Sequence, residues 1–236
     1  MWSGPRNIST ALMRSWGSRE DTVVVDEPLY AHYLDATGRA HPSREAIIAH
    51  YDTDWRAVVD RLTGPLPDDA DIFYQKHMAH HLLLKMDWDW VGALRNALLI
   101  REPRAMLTSL IEFLPEPTLS DTGLPQQWRL FQRLRREHDA PPPVLRAQDV
   151  LKAPGPMLDA LCGVLGVPYR DAMLSWSPGP RTTDGIWAKH WYDSVYDSTG
   201  FQPYTPKNIP LPDRLHDLHE ECRALYDKLA AHRLCP

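Results

Sequence analysis

Cysteine and glycine are both scarce in this sequence. Its 236 residues include only three Cys, at positions 162, 222 and 235, and none has the C-x-x-C spacing of a thiolate metal site. An odd number of cysteines also argues against a disulfide framework. Against 12 Gly there are 22 Pro, which is typical of rigid loops between short elements.

Long apolar runs and an excess of positive charge are absent too. No stretch approaches the ~18 apolar residues of a membrane-spanning helix, and the N-terminus has no signal-peptide pattern. The 26 Lys and Arg against 31 Asp and Glu leave a formal net charge of −5. We therefore expect a soluble, cytoplasmic protein without nucleic-acid or membrane partners, although a local basic pocket is compatible with this charge.

Short apolar runs alternate with helical patterns along the chain. The runs at 22–25, 72–75, 97–100 and 144–146 are each followed by such a pattern. This alternation predicts an α/β fold with a parallel sheet flanked by helices. The length and the 43% hydrophobic content predict one domain over residues 1–236.

Three further predictions concern single elements. Only Met1 and Trp2 precede the first loop, where ~5 residues are usual, so either the first strand is a stub or the chain begins later than related chains do. A helix is predicted over Gln126 to His138. The segment from Ser175 to Pro210, dense in Pro, Gly, Trp and Tyr, is predicted to be a large packed loop with one short helix.

The segment SGPRNIST after the first strand has the composition of a phosphate-binding loop. A Gly-Pro turn, an Arg and two hydroxyls meet at a predicted helix N-terminus, where backbone N–H groups and the helix dipole favour an anion. The candidate anion-binding residues are Gly4, Pro5, Arg6, Asn7, Ser9 and Thr10. A capped surface helix beside a solvated Arg6 would show the same pattern. The G-K-[ST] ending of a Walker A loop is missing, which disfavours ATP hydrolysis.

A second candidate anion site follows the fourth apolar run, in ALLIREPRAMLTSLIEF. Arg101 ends the run, Pro103 opens a predicted helix and Ser109 lies eight residues after Arg101. The carboxyl edge of a parallel sheet is where ligands bind, so Arg101 should face the same rim as the first loop. An arginine fork and a hydroxyl can hold a second phosphate.

These two motifs, in this order, resemble the sulfotransferase family of phosphate-loop folds. The segments MWSGPRNISTALM, VVVDEPLYAHYL, YQKHMAHHL and LLIREPRAMLTS are most similar to bacterial sulfotransferase-like proteins related to the N-terminal domain of plant branched-chain aminotransferase-like proteins. The resemblance covers roughly Met1 to Tyr169. It implies a three-layer fold that binds 3′-phosphoadenosine 5′-phosphosulfate (PAPS) without a metal and releases adenosine 3′,5′-bisphosphate.

The resemblance also implies roles for the two anion sites. The first loop would bind the 5′-phosphosulfate, and Arg101 with Ser109 would bind the 3′-phosphate. The sequence departs from the family where Arg6 stands near the position of a loop lysine, and where Lys76-His77-Met78 replaces a K-T-H motif. Arg6 can stabilise charge but cannot donate a proton at neutral pH.

Sulfuryl transfer needs a base for the acceptor hydroxyl or amine. Glu27, just past the second strand, and His77, after the third, are the two candidates, with Lys76 as a stabiliser of the transferring charge. Glu27 could equally be a helix N-terminal acid, and His77 a polar loop residue. His80 and His81 are weaker candidates, and without an H-E-x-x-H spacing we expect no metal site.

The function predicted is therefore a PAPS-dependent sulfotransferase acting on a small-molecule acceptor. Two alternatives stay open: a non-catalytic nucleotide-binding or regulatory module, and a nucleotide kinase or NTPase. The aromatic residues of the late segment, among them Trp187, Trp191 and Tyr192, could stack on an adenine, line the acceptor pocket or simply pack in the core. The acceptor itself and the oligomeric state are not predicted.

Overall fold

A computed structural model describes residues 1–67, 70–138, 140–206 and 209–236 of the chain. Within these residues five strands and ten α-helices alternate. The strands are β1 (Trp2–Ser3), β2 (Thr22–Asp26), β3 (Ile72–Met78), β4 (Leu98–Ile100) and β5 (Val144–Arg146). The helices are α1 (Ser9–Trp16), α2 (Tyr30–Thr37), α3 (Arg44–His50), α4 (Trp55–Thr63), α5 (Pro103–Leu110), α6 (Leu124–Glu137), α7 (Ala147–Lys152), α8 (Pro154–Leu165), α9 (Asp193–Tyr196) and α10 (His216–Ala230).

The five strands form one sheet in the order β2-β3-β1-β4-β5, and every pair in it is parallel. In register, Trp2 of β1 lies between His77 of β3 and Leu98 of β4. All carboxyl ends therefore meet at one edge, which is where the sequence places the two candidate anion loops. The predicted parallel α/β sheet flanked by helices is confirmed.

Two hydrophobic cores cover the two faces of the sheet. In β4, Leu98 and Ile100 belong to the core that includes residues of α4, α5, α6 and α10, whereas Leu99 belongs to the core of α1, α2, α7 and α8. Successive side chains of a strand point to opposite faces, and both faces are buried here. This explains why the strands read as continuous apolar runs.

Most sequence-predicted elements lie where they were expected. The first strand has two residues, Trp2 and Ser3, and α1 begins at Ser9. The predicted Gln126–His138 helix begins two residues earlier, because Pro125 suits the first turn of a helix. The late segment contains one short α-helix, α9, and residues 207 and 208 of that segment lie outside the described part. Among the described residues, no helix is long and apolar enough to cross a membrane.

Candidate active site

A cavity of about 570 Å³ lies at the carboxyl edge of the sheet. It is lined by both candidate anion loops, by the ends of β2 and β3, and by part of the late segment. Most of the sequence-predicted site residues therefore come together in one place. Those that line the cavity are Pro5, Arg6, Asn7, Ser9, Thr10, Glu27, Lys76, Arg101 and Ser109.

Gly4 has a different position from the rest of the first loop. It does not line the cavity, and a Cβ built on it would stand 2.4 Å from the carbonyl oxygen of Thr122. A glycine is needed there because the loop packs directly against the backbone that precedes α6. The missing side chain of Gly4 thus allows the loop to pack closely at this point.

Backbone strain is concentrated around the cavity. In the described part of the chain, three non-glycine residues have a positive φ: Arg6 (61°), Ile8 (59°) and Glu27 (42°). All three line the cavity. Such conformations cost about 1 to 3 kcal/mol each and are found mainly at functional sites, where the surrounding structure holds them.

The two loops are joined by their arginines. The Nε of Arg6 donates to Ser109 Oγ at 2.9 Å, and Arg101 donates to the carbonyl oxygen of Arg6. The Arg6 guanidinium also lies over the ring of Phe113, 4.6 Å from its centroid. Burial, and then the positive charge of Arg6, lower the pKa of Arg101. Among the described residues neither arginine forms an ion pair, so two guanidinium groups without a carboxylate partner face one cavity.

The N-terminus of α1 is open towards the same cavity. Its N-cap residue is Ile8, in a left-handed conformation, and no side chain caps the helix. The N–H groups of the first turn normally need a capping oxygen or another acceptor. The side chain of Asn7 is also short of one partner, because its Nδ2 donates to the Leu99 carbonyl while its buried Oδ1 accepts nothing from the described residues. The uncapped N–H groups suit an anionic ligand, whereas the Asn7 oxygen suits a hydrogen-bond donor.

A cluster of charged side chains is buried beside the cavity. The Lys76 ammonium donates to Asp26 Oδ1 at 2.8 Å, to Glu27 Oε1 at 2.6 Å and to the Tyr192 hydroxyl at 2.7 Å. Tyr192 in turn donates to Asp26 Oδ2 at 2.7 Å, and the Gly185 N–H donates to the same oxygen at 3.1 Å. The cluster joins the ends of β2 and β3 to the late segment.

Burial and the neighbouring charges together determine the pKa values in this cluster. It raises the pKa of Glu27, an effect that Lys76 opposes and the negative charge of Asp26 reinforces. The pKa of Lys76 is raised well above its ordinary value, because the two carboxylates outweigh the cost of burying the ammonium. Glu27 is therefore a carboxylate with increased proton affinity at the wall of a cavity, as a general base requires.

His77, the alternative base, is not part of this site. Neighbouring side chains of β3 point to opposite faces of the sheet, so His77 points away from the face of Lys76. Its ring is buried and stacks on Trp2 with centroids 4.1 Å apart, and its Nε2 lies 3.1 Å from Gln75 Oε1. It lines a second cavity, of about 510 Å³, together with Met1 and Gln75. The structure thus brings Glu27 but not His77 to the candidate anion loops.

The comparison with known protein families agrees with this geometry. The model of the sulfotransferase domain family matches residues 1–232. The chain belongs to the sulfotransferase family. Two Arabidopsis thaliana proteins, branched-chain-amino-acid aminotransferase-like proteins 1 and 2, are 36% and 34% identical over 234 and 235 residues. Both matches cover 98% of this chain but 41% of the plant proteins, so the chain spans about two-fifths of their length.

Solved sulfotransferase domains share the fold. The sulfotransferase domain of the Synechococcus PCC 7002 olefin synthase superposes with a TM-score of 0.59 at 17% identity, over 96% of this chain and 92% of the other. The sulfotransferase domain from the curacin biosynthetic pathway gives a TM-score of 0.52 at 14% identity, over 100% and 97%. At these identities the likeness concerns the fold.

The last two histidines of HMAHH, His80 and His81, line the wall of the first cavity as neutral aromatic groups. His81 stacks on Tyr30 with centroids 4.6 Å apart, and His80 contacts Tyr33 edge-on. Burial lowers the pKa of His80 to about 4 and that of His81 well below its ordinary value. Within the described ranges, no group of three His, Cys, Asp or Glu side chains could hold a metal ion.

Two members of the buried cluster were not recognised in the sequence. Asp26 has no place among the sequence predictions, and Tyr192 enters them only as one of several aromatics. The signal for Asp26 was its position at the end of β2, which is paired in register with Lys76 of β3. No local pattern indicates Tyr192, because it reaches the cluster from 116 residues away along the chain.

Proposed function

We propose that this sulfotransferase domain binds PAPS in the cavity and transfers its sulfuryl group to a hydroxyl or amine of a small-molecule acceptor. The observation that carries the proposal is the meeting of two unpaired guanidinium groups, an uncapped helix N-terminus and a buried carboxylate in one cavity. The first two suit the anionic donor, and the third suits proton removal from the acceptor. The names of the two plant relatives alone would not suggest this chemistry.

The residues that line the cavity suit the anionic groups of the donor. The first-turn N–H groups of α1, with Ser9 and Thr10, would hold the 5′-phosphosulfate, and Arg101 and Ser109 would hold the 3′-phosphate. Arg6 would serve both ends, since it already donates to Ser109 from within the first loop. Bound PAPS would supply the sulfuryl group, and preorganised donors of this kind stabilise charge that develops on oxygen.

Glu27 would accept the proton of the acceptor hydroxyl or amine. It lines the cavity, and its backbone is held in a left-handed conformation. Lys76 is less free than the sequence suggested. An ammonium group has three N–H donors, and all three are engaged with Asp26, Glu27 and Tyr192. Its contribution to the transferring charge would thus be electrostatic rather than a direct hydrogen bond.

A non-catalytic nucleotide-binding module is the second candidate. The engagement of all Lys76 donors, together with the absence of a lysine from the first loop, favours it. The two candidates differ in one outcome. A binding module would bind adenosine 3′,5′-bisphosphate tightly and transfer nothing from PAPS to any hydroxyl or amine in a broad acceptor panel.

Calorimetry with adenosine 3′,5′-bisphosphate and with ADP tests the nucleotide assignment. We expect the bisphosphate to bind more tightly, and Arg101→Ala to lose about 1.5 to 3 kcal/mol, or roughly 10- to 150-fold in Kd. Arg104→Ala is the matched control, because Arg104 lies exposed three residues later, in the first turn of α5, and does not line the cavity. Equal affinity for both nucleotides, or an unchanged Kd in Arg101→Ala, would refute the assignment.

Turnover tests the base. Glu27→Gln should lower kcat by about 10²- to 10⁴-fold, the usual contribution of a general base. The affinity of this variant for the bisphosphate should stay within about twofold of the wild-type value. Glu20→Gln, at an exposed position outside the cavity, is the control. Full activity of Glu27→Gln would remove Glu27 from the reaction.

A further inference from the structure

The two carboxylates at the end of β2 are held very differently. Asp26 accepts three hydrogen bonds, from Lys76, from Tyr192 and from the Gly185 N–H, and its side chain is 1% exposed. Glu27 accepts one, from Lys76, and lines the cavity, where its side chain is 11% exposed. Carboxylates that accept two or three hydrogen bonds are strongly favoured as anions.

Tyr192 links the two halves of this arrangement. Its hydroxyl accepts from Lys76 and donates to Asp26, which uses the hydrogen and one lone pair of the oxygen. Tyr192 therefore accepts the third hydrogen bond of the Lys76 ammonium and donates one to the second oxygen of Asp26. Without it, one Lys76 N–H would turn to another acceptor, and Glu27 is the nearest carboxylate that already binds Lys76.

We propose that Asp26 and Tyr192 are positioning residues that take up two of the three Lys76 donors, so that Glu27 is held by the third alone and keeps its proton-accepting capacity. This inference rests on the proposed role of Glu27 as base. It assigns Lys76 to the positioning of Glu27 rather than to contact with the transferred group.

The charges around Glu27 are consistent with this division. Asp26 from its own strand is the anion beside it, and Lys76 from β3 is the cation. Tyr30 of α2 and Tyr192 of the late segment also face it, and burial raises the pKa of both, so they stay neutral. His81, next to Lys76, is neutral as well, because burial lowers its pKa. The proton affinity of Glu27 is thus governed by how Asp26 and Glu27 share Lys76.

The test measures the titration of the Glu27 carboxyl directly, by carbon NMR of protein labelled at glutamate side chains, with the signal assigned through Glu27→Gln. Asp26→Asn should lower the Glu27 midpoint by about one to two pH units, because a like charge is lost and Lys76 acts on Glu27 alone. Tyr192→Phe should lower it by a smaller amount, since Lys76 then divides its three donors between two carboxylates.

Tyr196→Phe is the matched control. Tyr196 follows Tyr192 by one turn of the same short helix, with ring centroids 6.4 Å apart, but does not line the cavity. The Glu27 midpoint in Tyr196→Phe should equal that of the wild-type protein. A Glu27 midpoint that is the same in Asp26→Asn, Tyr192→Phe and Tyr196→Phe overturns the proposal. If Asp26→Asn does not fold, Tyr192→Phe decides alone.

Kinetics with PAPS separates this inference from the proposed function. In an active enzyme, Asp26→Asn and Tyr192→Phe should lower kcat and move its acid limb to lower pH, with bisphosphate Kd unchanged. If the wild-type protein shows no turnover but Asp26→Asn and Tyr192→Phe still lower the Glu27 midpoint, the positioning role is supported and sulfuryl transfer is refuted. An unmoved acid limb in an active enzyme would overturn the positioning role alone.

Discussion

Breaking the ion pair between Arg14 and Asp184 should destabilise the protein strongly. The two guanidinium nitrogens of Arg14 donate to the two carboxylate oxygens of Asp184 at 2.6 and 2.7 Å, and the side chains are 3% and 4% exposed. The pair connects α1 to the late segment, one residue before Gly185. In Arg14→Met the Asp184 carboxylate stays buried without its partner.

The magnitude follows from that burial. Removing one partner of a buried pair costs about 3 to 5 kcal/mol, because the remaining charge is uncompensated. For a chain of this length this corresponds to a fall in Tm of about 6 to 20 °C. Arg14→Met/Asp184→Asn should cost less than Arg14→Met, since no charge is left buried and the Asn oxygen can still accept the Arg181 N–H.

Urea unfolding followed by circular dichroism gives the free energies. The control is Arg61→Met, which breaks an ion pair with Asp52 whose side chains are 61% and 36% exposed. Such pairs contribute about 0.2 to 1 kcal/mol. A loss in Arg14→Met no larger than that of Arg61→Met would refute the reasoning, as would a double variant less stable than Arg14→Met.

Three further predictions concern stability. Gly185→Ala should destabilise by about 1 to 3 kcal/mol, because its Cβ would stand 2.1 Å from a buried tryptophan ring, whereas Gly163→Ala, with open space in α8, should stabilise in the same urea assay. Asp54→Ala should cost about 0.5 to 2 kcal/mol in thermal unfolding, since Asp54 caps α4 through the Arg56 N–H at 3.0 Å. The folded-state pKa of His81 lies below its unfolded value, so the stability it confers is present above about pH 6.5 and lost as the pH falls. His81→Gln should therefore lose less stability than wild type between pH 7.5 and 5.5, and an equal loss would contradict this.

Much of the fold could be predicted because hydrophobic cores cover both faces of the sheet. The runs that became β2, β4 and β5 are apolar and sit between helix patterns, so local composition identifies them. The loop residues Arg6 and Arg101 could be predicted to meet for a similar reason, since parallel strands bring their carboxyl ends to one edge.

The rest of the site depends on contacts that no local pattern encodes. Lys76 and His77 are neighbours in sequence, and only the direction of each side chain from β3 shows that one faces the cavity and the other Trp2. Tyr192 lies in a segment without regular periodicity. Its role is defined by hydrogen bonds to Asp26 and Lys76, each more than 100 residues away.

The buried cluster can form only late in synthesis, because the late segment supplies two of its members. Ribosomes add about 5 to 20 residues per second, and chains begin to fold from the N-terminus. The strand ends that carry Asp26, Glu27 and Lys76 emerge long before Gly185 and Tyr192. Until those two arrive, Asp26 lacks two of its donors and Lys76 lacks an acceptor. The proposed catalytic carboxylate is therefore among the last features of the molecule to reach its final state.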